Sequence, residues 1–323
     1  MTQAPSCVRS PLFIQLQQDQ QAQACAELAS GLIARAAVTH PKYLYDALGS
    51  RLFEAITELP EYYPTRTEAT IFARYASEMA AGVPPGITLV DLGAGNCEKA
   101  ARLFDVLRPS RYVAVDISVE FLKSAMQSLQ RQHPALEMLG LGLDFSTDLM
   151  LPPQAGAGPR LMFYPGSSIG NFSPVEALTL LRQMRQAAQG GGLLIGVDLV
   201  KPLSTLVPAY DDALGITSAF NRNMLLHINH LLGSDFAVSQ WRHRALFNET
   251  QFRIEMHLDA LQDVTVRWPG AQREFRAGES IHTENSYKYT PTQFEALLRA
   301  AGFSRIEQWR DAQDWFAVFL ARE

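Results

Sequence analysis

TLVDLGAGNCEKA, residues 88–100, runs from an apolar segment through a Gly-x-Gly turn into a helical pattern. A strand, a glycine turn and a helix open every doubly wound nucleotide-binding fold, so Gly93 and Gly95 point to the architecture without naming the ligand. The discriminating position lies three residues after Gly95. A dinucleotide site needs Gly or Ala there, where pyrophosphate meets the helix N-terminus, and here Glu98 stands in that place. Its carboxylate would repel the phosphates. No G-x-x-x-x-G-K-[ST] pattern occurs either, which removes a P-loop.

Outward from the turn, short β-branched runs alternate with helical ones: ITLVDLG, CEKAARLFDVL, RYVAVDIS and VEFLKSAMQSLQRQ. Two more apolar runs, RLMFYPG and GGLLIGVDLV, flank the helix pattern PVEALTLLRQMRQAAQ, with Ser173 at its N-cap and Pro174 in its first turn. Such alternation predicts βαβ units and a parallel sheet. The final segment, PTQFEALLRAAGFSRIEQWRDAQDWFAVFLARE, predicts a helix, a stop at Gly302 and two strands close enough to pair as an antiparallel hairpin. The expected core is therefore an α/β sheet, parallel with a reversed edge, over residues 65–202 and 289–323. Residues 1–64 and 203–288 fall outside the alternation. The second contains RALFNETQFRIEMHLDALQDVTVRW, whose later half alternates like antiparallel strands, and the two are expected to join as one accessory α+β domain. No internal repeat or low-complexity tract is visible.

A chain of 323 residues with 47% hydrophobic content can bury a sizeable core. Its net charge of −5, with Lys and Arg scattered, leaves no electrostatic footprint for nucleic acid. The longest apolar runs, such as LLIGVDLV and FAVFLA, are shorter than the ~20 residues of a bilayer-spanning helix. The N-terminus lacks the basic start and apolar middle of a signal peptide, so no membrane association is expected and the location is expected to be cytoplasmic. Cys7, Cys25 and Cys97 are odd in number and widely spaced, which predicts reduced thiols. His227 and His230, three apart on a predicted helix, lack further ligand spacing, and no metal site is expected.

A nucleoside without phosphates suits the glycine turn, because Gly93 and Gly95 then let backbone approach a ribose and an amino-acid tail. S-adenosylmethionine is such a ligand. Asp116 ends YVAVDIS, where its carboxylate can accept from both ribose hydroxyls, and Asp144 with Phe145 follows the third strand, where the pair can meet the adenine amine and ring. Each acid alone reads equally well as a cap or a turn former. Their joint placement at the carboxyl ends of adjacent strands points to a methyltransferase.

Around this core lie longer and rarer runs: YDALGSRLFEAITELPEYYPTRTEATI, YPGSSIGNFSP, VDLVKPLSTLVPAYDD, FNRNML, RIEMHL and IHTENSYKY. With the glycine turn they make the chain closely resemble the L-histidine Nα-methyltransferases of ergothioneine biosynthesis, which trimethylate histidine to hercynine. The resemblance covers essentially everything after about residue 40. It implies a class I Rossmann-like methyltransferase core with an accessory substrate domain, S-adenosylmethionine as cofactor and a small amino acid as partner; a monomer is expected. It also implies that Tyr62, Gly93, Lys99, Asp116, Asp144 and Phe145 lie at cofactor positions, joined by Gly95 of the turn. Tyr45, Gly166, Ser168, Asn171 and Tyr210 match the positions that hold the amino-acid backbone, and Met256, Glu284 and Ser286 those lining the imidazole. Asp91 stands where the family often has Glu, and Ala100 where it has Thr.

Methyl transfer from a sulfonium to an amine needs a nitrogen lone pair and in-line approach, so positioning supplies most of the rate. Tyr45, Asn171 and Tyr210 offer hydroxyls and an amide for orienting carboxylate and amine, with Tyr45 or a water it holds accepting the proton. Glu284 and Ser286, two apart on an extended segment, share a face and offer one acceptor and one adaptable hydroxyl to imidazole. Without the resemblance, HTENSYKY reads as a polar strand with a solvated face, and Tyr45 and Tyr210 as helix residues with wet tips. Two other functions stay open at this point: N-methylation of a different, aromatic amino acid, and a catalytically silent cofactor-binding module that regulates a partner.

Overall fold

The structure, a computed structural model, describes residues 9–16, 20–117 and 119–323; Cys7 lies outside the described residues. Its strands are, in chain order, β1 (Leu12–Gln15), β2 (Ala37–Val38), β3 (Thr88–Leu92), β4 (Arg111–Asp116), β5 (Glu137–Gly142), β6 (Arg160–Tyr164), β7 (Gly192–Asp198), β8 (Trp241–Asn248), β9 (Arg253–Ala260), β10 (Val264–Trp268), β11 (Ala271–Phe275), β12 (Ser280–Tyr287), β13 (Arg305–Arg310) and β14 (Phe316–Arg322). The chain divides into two compact units. One holds β1, Pro64–Leu199 and Tyr289–Glu323; the other holds residues 20–63 and Val200–Lys288.

The first unit is built on a sheet of order β1-β5-β4-β3-β6-β7-β14-β13. Every residue of β3, β6 and β7 is buried, as expected of parallel strands covered on both faces. On one face Leu89, Leu161, Leu194 and Val318 share a cluster with Ile71, Phe72 and Met79 of the helix Tyr63–Ala81. Each such side chain contributes roughly 1.5–3 kcal/mol by leaving water. The predicted reversed edge is present, with β14 antiparallel to both β7 and β13. So is the helix start read at Ser173 and Pro174, where Ser173 and Glu176 form a capping box before Pro174–Ala188; Thr290 and Gln293 form another before Pro291–Ala300. Strand order reverses about β3, with β4 and β5 on one side and β6 and β7 on the other. In open α/β sheets, ligands bind beside such a reversal at the carboxyl ends of the strands.

Two expectations are corrected here. The segment holding β1, read with the accessory domain, joins the main sheet instead: Leu12 pairs with Leu139 and Gln15 with Gly142, giving the edge of β5 a parallel partner. Four residues, exposed at both ends and half-buried only at Phe13 and Ile14, carry too little pattern to reveal this. The single helix read from CEKAARLFDVL is two short ones, Glu98–Ala101 and Phe104–Leu107.

In the second unit, β8, β9 and β12 form antiparallel neighbours, β2 adds in parallel to β12, and β10 and β11 pair separately. The helix Ile216–Leu232 packs on β8 and β9 and against the helix Ala47–Thr57. Asp46 caps the latter: its Oδ1 accepts from Gly49 N–H at 2.7 Å and from Asn223 Nδ2 at 2.7 Å. Among the described residues no helix is long and apolar enough to cross a membrane.

Candidate functional site

The glycine turn follows β3 with Gly93 at φ 70° and Gly95 at φ 52°. A Cβ at either would meet nothing within 4 Å, so backbone conformation, not crowding, selects glycine, and the space beside the turn stays open. The turn hangs on β4. Gly93 and Ala94 donate to the Val115 carbonyl at 2.9 and 3.1 Å, and Gly95 N–H donates to Asp116 Oδ2 at 2.9 Å. Asp116 thus joins Gly93 and Gly95 in one constellation.

Asp91, noted from sequence only as a departure, is strongly perturbed. It is buried; Tyr112 donates to its Oδ2 at 2.7 Å, while Oδ1 has no hydrogen-bond partner. Burial, reinforced by the nearby Asp116 charge, pushes its carboxyl up to about 7 against the opposing Tyr112 bond. Burial also pushes the Cys97 thiol up to about 12, so this cysteine is an inert core residue.

Glu68, which the sequence reading passed over inside YYPTRTEATI, links two expected site positions. It is 1% exposed; its Oε2 accepts from Lys99 Nζ at 2.8 Å and its Oε1 from Gly166 N–H at 2.7 Å. Gly166 has φ 79°, and Ser168 and Asn171 follow in a 3₁₀ turn. The neighbouring Ser167 hydroxyl accepts from Asp198 N–H at 2.8 Å, anchoring the loop to the end of β7. Asp144 and Phe145 lie just past β5. Asp144 Oδ1 accepts from Ser146 N–H at 3.1 Å, so the turn-forming role is real, and Phe145 meets Tyr164 edge to face at 5.7 Å.

In the second unit Tyr45, Phe53, Tyr62, Phe220 and Tyr210 form a chain of edge contacts. Tyr45 lies 5.6 Å from Phe53 and 5.5 Å from Phe220, and Tyr62 lies 6.0 Å from Phe53 and 6.4 Å from Tyr210. Tyr210 and Ser286 share a hydrogen bond of 2.7 Å between their hydroxyls. Lys288, another residue not singled out from sequence, donates to both. Met256 on β9 stands opposite Glu284 on β12. The Glu284 residue keeps some solvent access, yet desolvation pushes its carboxyl up to about 7 against the attraction of Lys288. Among the described residues no donor reaches that carboxylate.

On the opposite face of this sheet, His257 and His282 stack at 4.7 Å beside Glu255, with ligand-capable atoms of all three within 4.8 Å. Glu255 is already held by Arg253, Asn248 and His257, which keep its carboxyl down near 2. The group reads as an ion-pair network. His227, considered from sequence, bonds through Nδ1 to the Tyr43 carbonyl at 2.8 Å.

A family profile described as histidine-specific methyltransferase, SAM-dependent, matches residues 24–323. The chain is 39% identical over 302 residues to a histidine N-alpha-methyltransferase of Mycolicibacterium smegmatis, covering 91% of this chain and 93% of that protein. It is 40% identical over 304 residues to a histidine N-alpha-methyltransferase of Mycobacterium tuberculosis, with the same two shares, 91% and 93%. It is also 30% identical to ergothioneine biosynthesis protein 1 of Neurospora crassa, covering 86% of this chain and 32% of that longer protein.

Proposed function

The chain belongs to the histidine-specific, S-adenosylmethionine-dependent methyltransferases, and from that premise we propose that it places three methyl groups in turn on the α-nitrogen of L-histidine, making hercynine for ergothioneine biosynthesis.

The residues of the first unit fit the cofactor. Open space lies beside Gly93 and Gly95, Asp116 ends the adjoining strand, and the buried Asp91 Oδ1 is an acceptor still lacking a donor. Asp116 would hold the ribose hydroxyls, Asp144 and Phe145 the adenine, and Asp91 the ammonium of the amino-acid tail, with Lys99 and Tyr62 completing the cofactor positions. When bound, S-adenosylmethionine supplies the methyl group from its sulfonium.

The protein's own part is orientation. Tyr45, Gly166, Ser168, Asn171 and Tyr210 would fix the substrate's carboxylate and amine through hydroxyls, backbone and an amide. These neutral groups tolerate growing N-methyl bulk better than a carboxylate clasping the ammonium. The α-ammonium, with an ordinary pKa near ~8 or above, must first lose a proton. Tyr45, or a water it holds, takes it. The side chain is read by Glu284, which accepts an imidazole N–H, and by Ser286 at the second ring nitrogen, with Met256 closing the pocket wall.

The observation that carries the reading is the Glu284 carboxylate, desolvated and without a donor among the described residues, flanked by Ser286 and opposite Met256. An apolar ring there would leave the carboxylate poorly paired. The test is mass spectrometry of purified protein incubated with S-adenosylmethionine and each free amino acid. Histidine should gain three methyl groups on its α-nitrogen; a product that stops at one methyl with excess cofactor, or methylation of another amino acid in its place, would refute the proposal.

A further inference from the structure

Lys288 directly follows β12, and its N–H still donates to the Phe252 carbonyl at 2.8 Å, so the strand's alternation carries Glu284, Ser286 and Lys288 to one face. Its side chain is buried, 2% exposed, in a place where an ammonium loses its hydration. Nζ donates to Tyr210 Oη at 2.8 Å and to Ser286 Oγ at 2.7 Å, and it lies 4.8 Å from the Tyr210 ring centroid. The two hydroxyl oxygens are themselves 2.7 Å apart. The three groups thus close a ring of hydrogen bonds.

Counting protons in that ring gives it a direction. An ammonium only donates, so each hydroxyl uses a lone pair on Lys288. One hydroxyl proton lies between Tyr210 and Ser286, and the phenol, the stronger acid, is the natural donor of that bond. The Ser286 proton is then the one directed out of the ring. A neutral imidazole that gives its N–H to Glu284 presents a lone pair at its other nitrogen, which needs a donor. An indole has no such lone pair and would leave that donor unmet.

Building on the reading that Glu284 and Ser286 meet the substrate side chain, we propose that Lys288 is the positioning residue of the imidazole reader, committing the Ser286 hydroxyl to donate by occupying the lone pairs of Ser286 and Tyr210. A second effect of Lys288 is electrostatic. The groups gathered on this face are Lys288 and Ser286 from the β12 segment, the uncharged Met256 from β9, the phenol of Tyr210 and, from β8, the buried His243, which burial keeps below the usual histidine range and whose Nε2 meets the Tyr210 carbonyl at 2.8 Å; the Lys288 charge favours the ionised Glu284 carboxylate.

The experiment is a double-mutant cycle of Lys288→Met and Ser286→Ala, reading kcat/KM for histidine across pH and the calorimetric Kd for S-adenosylmethionine. Lys288→Met alone should lower kcat/KM by roughly tenfold to a hundredfold and move its acid limb to higher pH, with cofactor Kd within about twofold. In the Ser286→Ala background it should add less than about threefold. Lys288→Arg is the second variant and serves if Lys288→Met does not fold: keeping the charge, it should leave the limb in place and add little to Ser286→Ala. If Ser286→Ala alone leaves histidine turnover unchanged, the side-chain reading falls and this proposal with it. If Ser286→Ala is impaired but either Lys288 variant loses the same factor in both backgrounds, only the role of Lys288 is overturned.

Discussion

Glu284 faces Met256 across the β9–β12 pair because a bulge separates them from the register that precedes it: His282 opposes His257, one extra residue intervenes, and Glu284 then opposes Met256. Residues 282 and 284 of an unbroken strand would share a face. The extra residue, Thr283, whose hydroxyl donates to the Met256 carbonyl at 3.0 Å, sends His282 to the side of His257 and Glu284 to the side of Met256. The local irregularity therefore aims the proposed reader.

Substitution Glu284→Ala should lower kcat/KM for histidine by about 1–3 kcal/mol, near tenfold to a hundredfold, while leaving cofactor affinity close to wild type. Rejection of tryptophan should relax in parallel, because the bulkier indole no longer has to share the pocket with a buried carboxylate. Adding Met256→Val enlarges the space opposite and should strengthen that relaxation. The check is the histidine-to-tryptophan ratio of kcat/KM in all three proteins; an unchanged ratio places the side-chain reader elsewhere.

The pH dependence follows from the same carboxyl. Burial raises Glu284 to about 7, so it is protonated below that pH and ionised above it. Only the ionised form offers two acceptor oxygens to an imidazole N–H, and kcat/KM for histidine should fall as pH drops through about 7. Glu284→Gln should remove this acid limb and lower the plateau. A limb that persists unchanged in Glu284→Gln would belong to another group.

Much of the sheet was legible in the sequence because parallel strands buried on both faces write continuous apolar runs, as in RLMFY and GLLIGVD, and because Ser173, Pro174 and Gly302 mark helix ends chemically. The β1 strand was not, since four residues, two exposed and two half-buried, have no period to read. Asp116, Gly93 and Gly95 could be joined from spacing alone. Glu68, Asp91 and Lys288 could not: each matters through a partner brought close only by folding, Lys99 and Gly166, Tyr112, and Tyr210 with Ser286 respectively. The extra residue at Thr283 leaves no mark in composition either.

Asp91 gives a stability prediction with a definite sign. Its folded-state carboxyl is raised to about 7 from an ordinary 3.8, so the native state holds the proton more tightly than the unfolded chain. Stability from this group is present at low pH and is lost as pH rises through the folded value. The thermal midpoint of the free protein should fall as pH rises from about 4 to about 7, and Asp91→Asn should flatten part of that fall. Saturating S-adenosylmethionine should raise the midpoint more at the upper pH, where an ionised Asp91 awaits the ammonium. Asp116→Ala should instead weaken cofactor binding by about 1–3 kcal/mol throughout the range. Calorimetry showing unchanged affinity for Asp116→Ala would remove it from the cofactor site.

The most severe loss is expected at Glu68, which holds the glycine-turn helix through Lys99 and the loop after β6 through the Gly166 amide. Both partners are donors, and both carboxylate oxygens are used. Glu68→Gln keeps the shape but turns one oxygen into an NH₂, so a donor must face either the lysine or the amide, and the lysine loses its countercharge. Because the Glu68 carboxylate is buried but the Lys99 side chain is 34% exposed, breaking the pair in this way costs less than the about 3–5 kcal/mol of a fully buried one. Space offers no escape: a Cβ at Gly196 would come within 2.0 Å of Glu68 Oε1, and one at Gly166 within 3.0 Å of Lys99 Nζ. Lys99→Met removes one of the competing donors, so Glu68→Gln should cost less in that background, with a coupling of about 1 kcal/mol or more. Gly196→Ala should destabilise by about 1–3 kcal/mol through overpacking alone. Urea denaturation midpoints of the single and double variants measure all of these, and strictly additive losses for Glu68→Gln and Lys99→Met would show that the two side chains do not act as a pair.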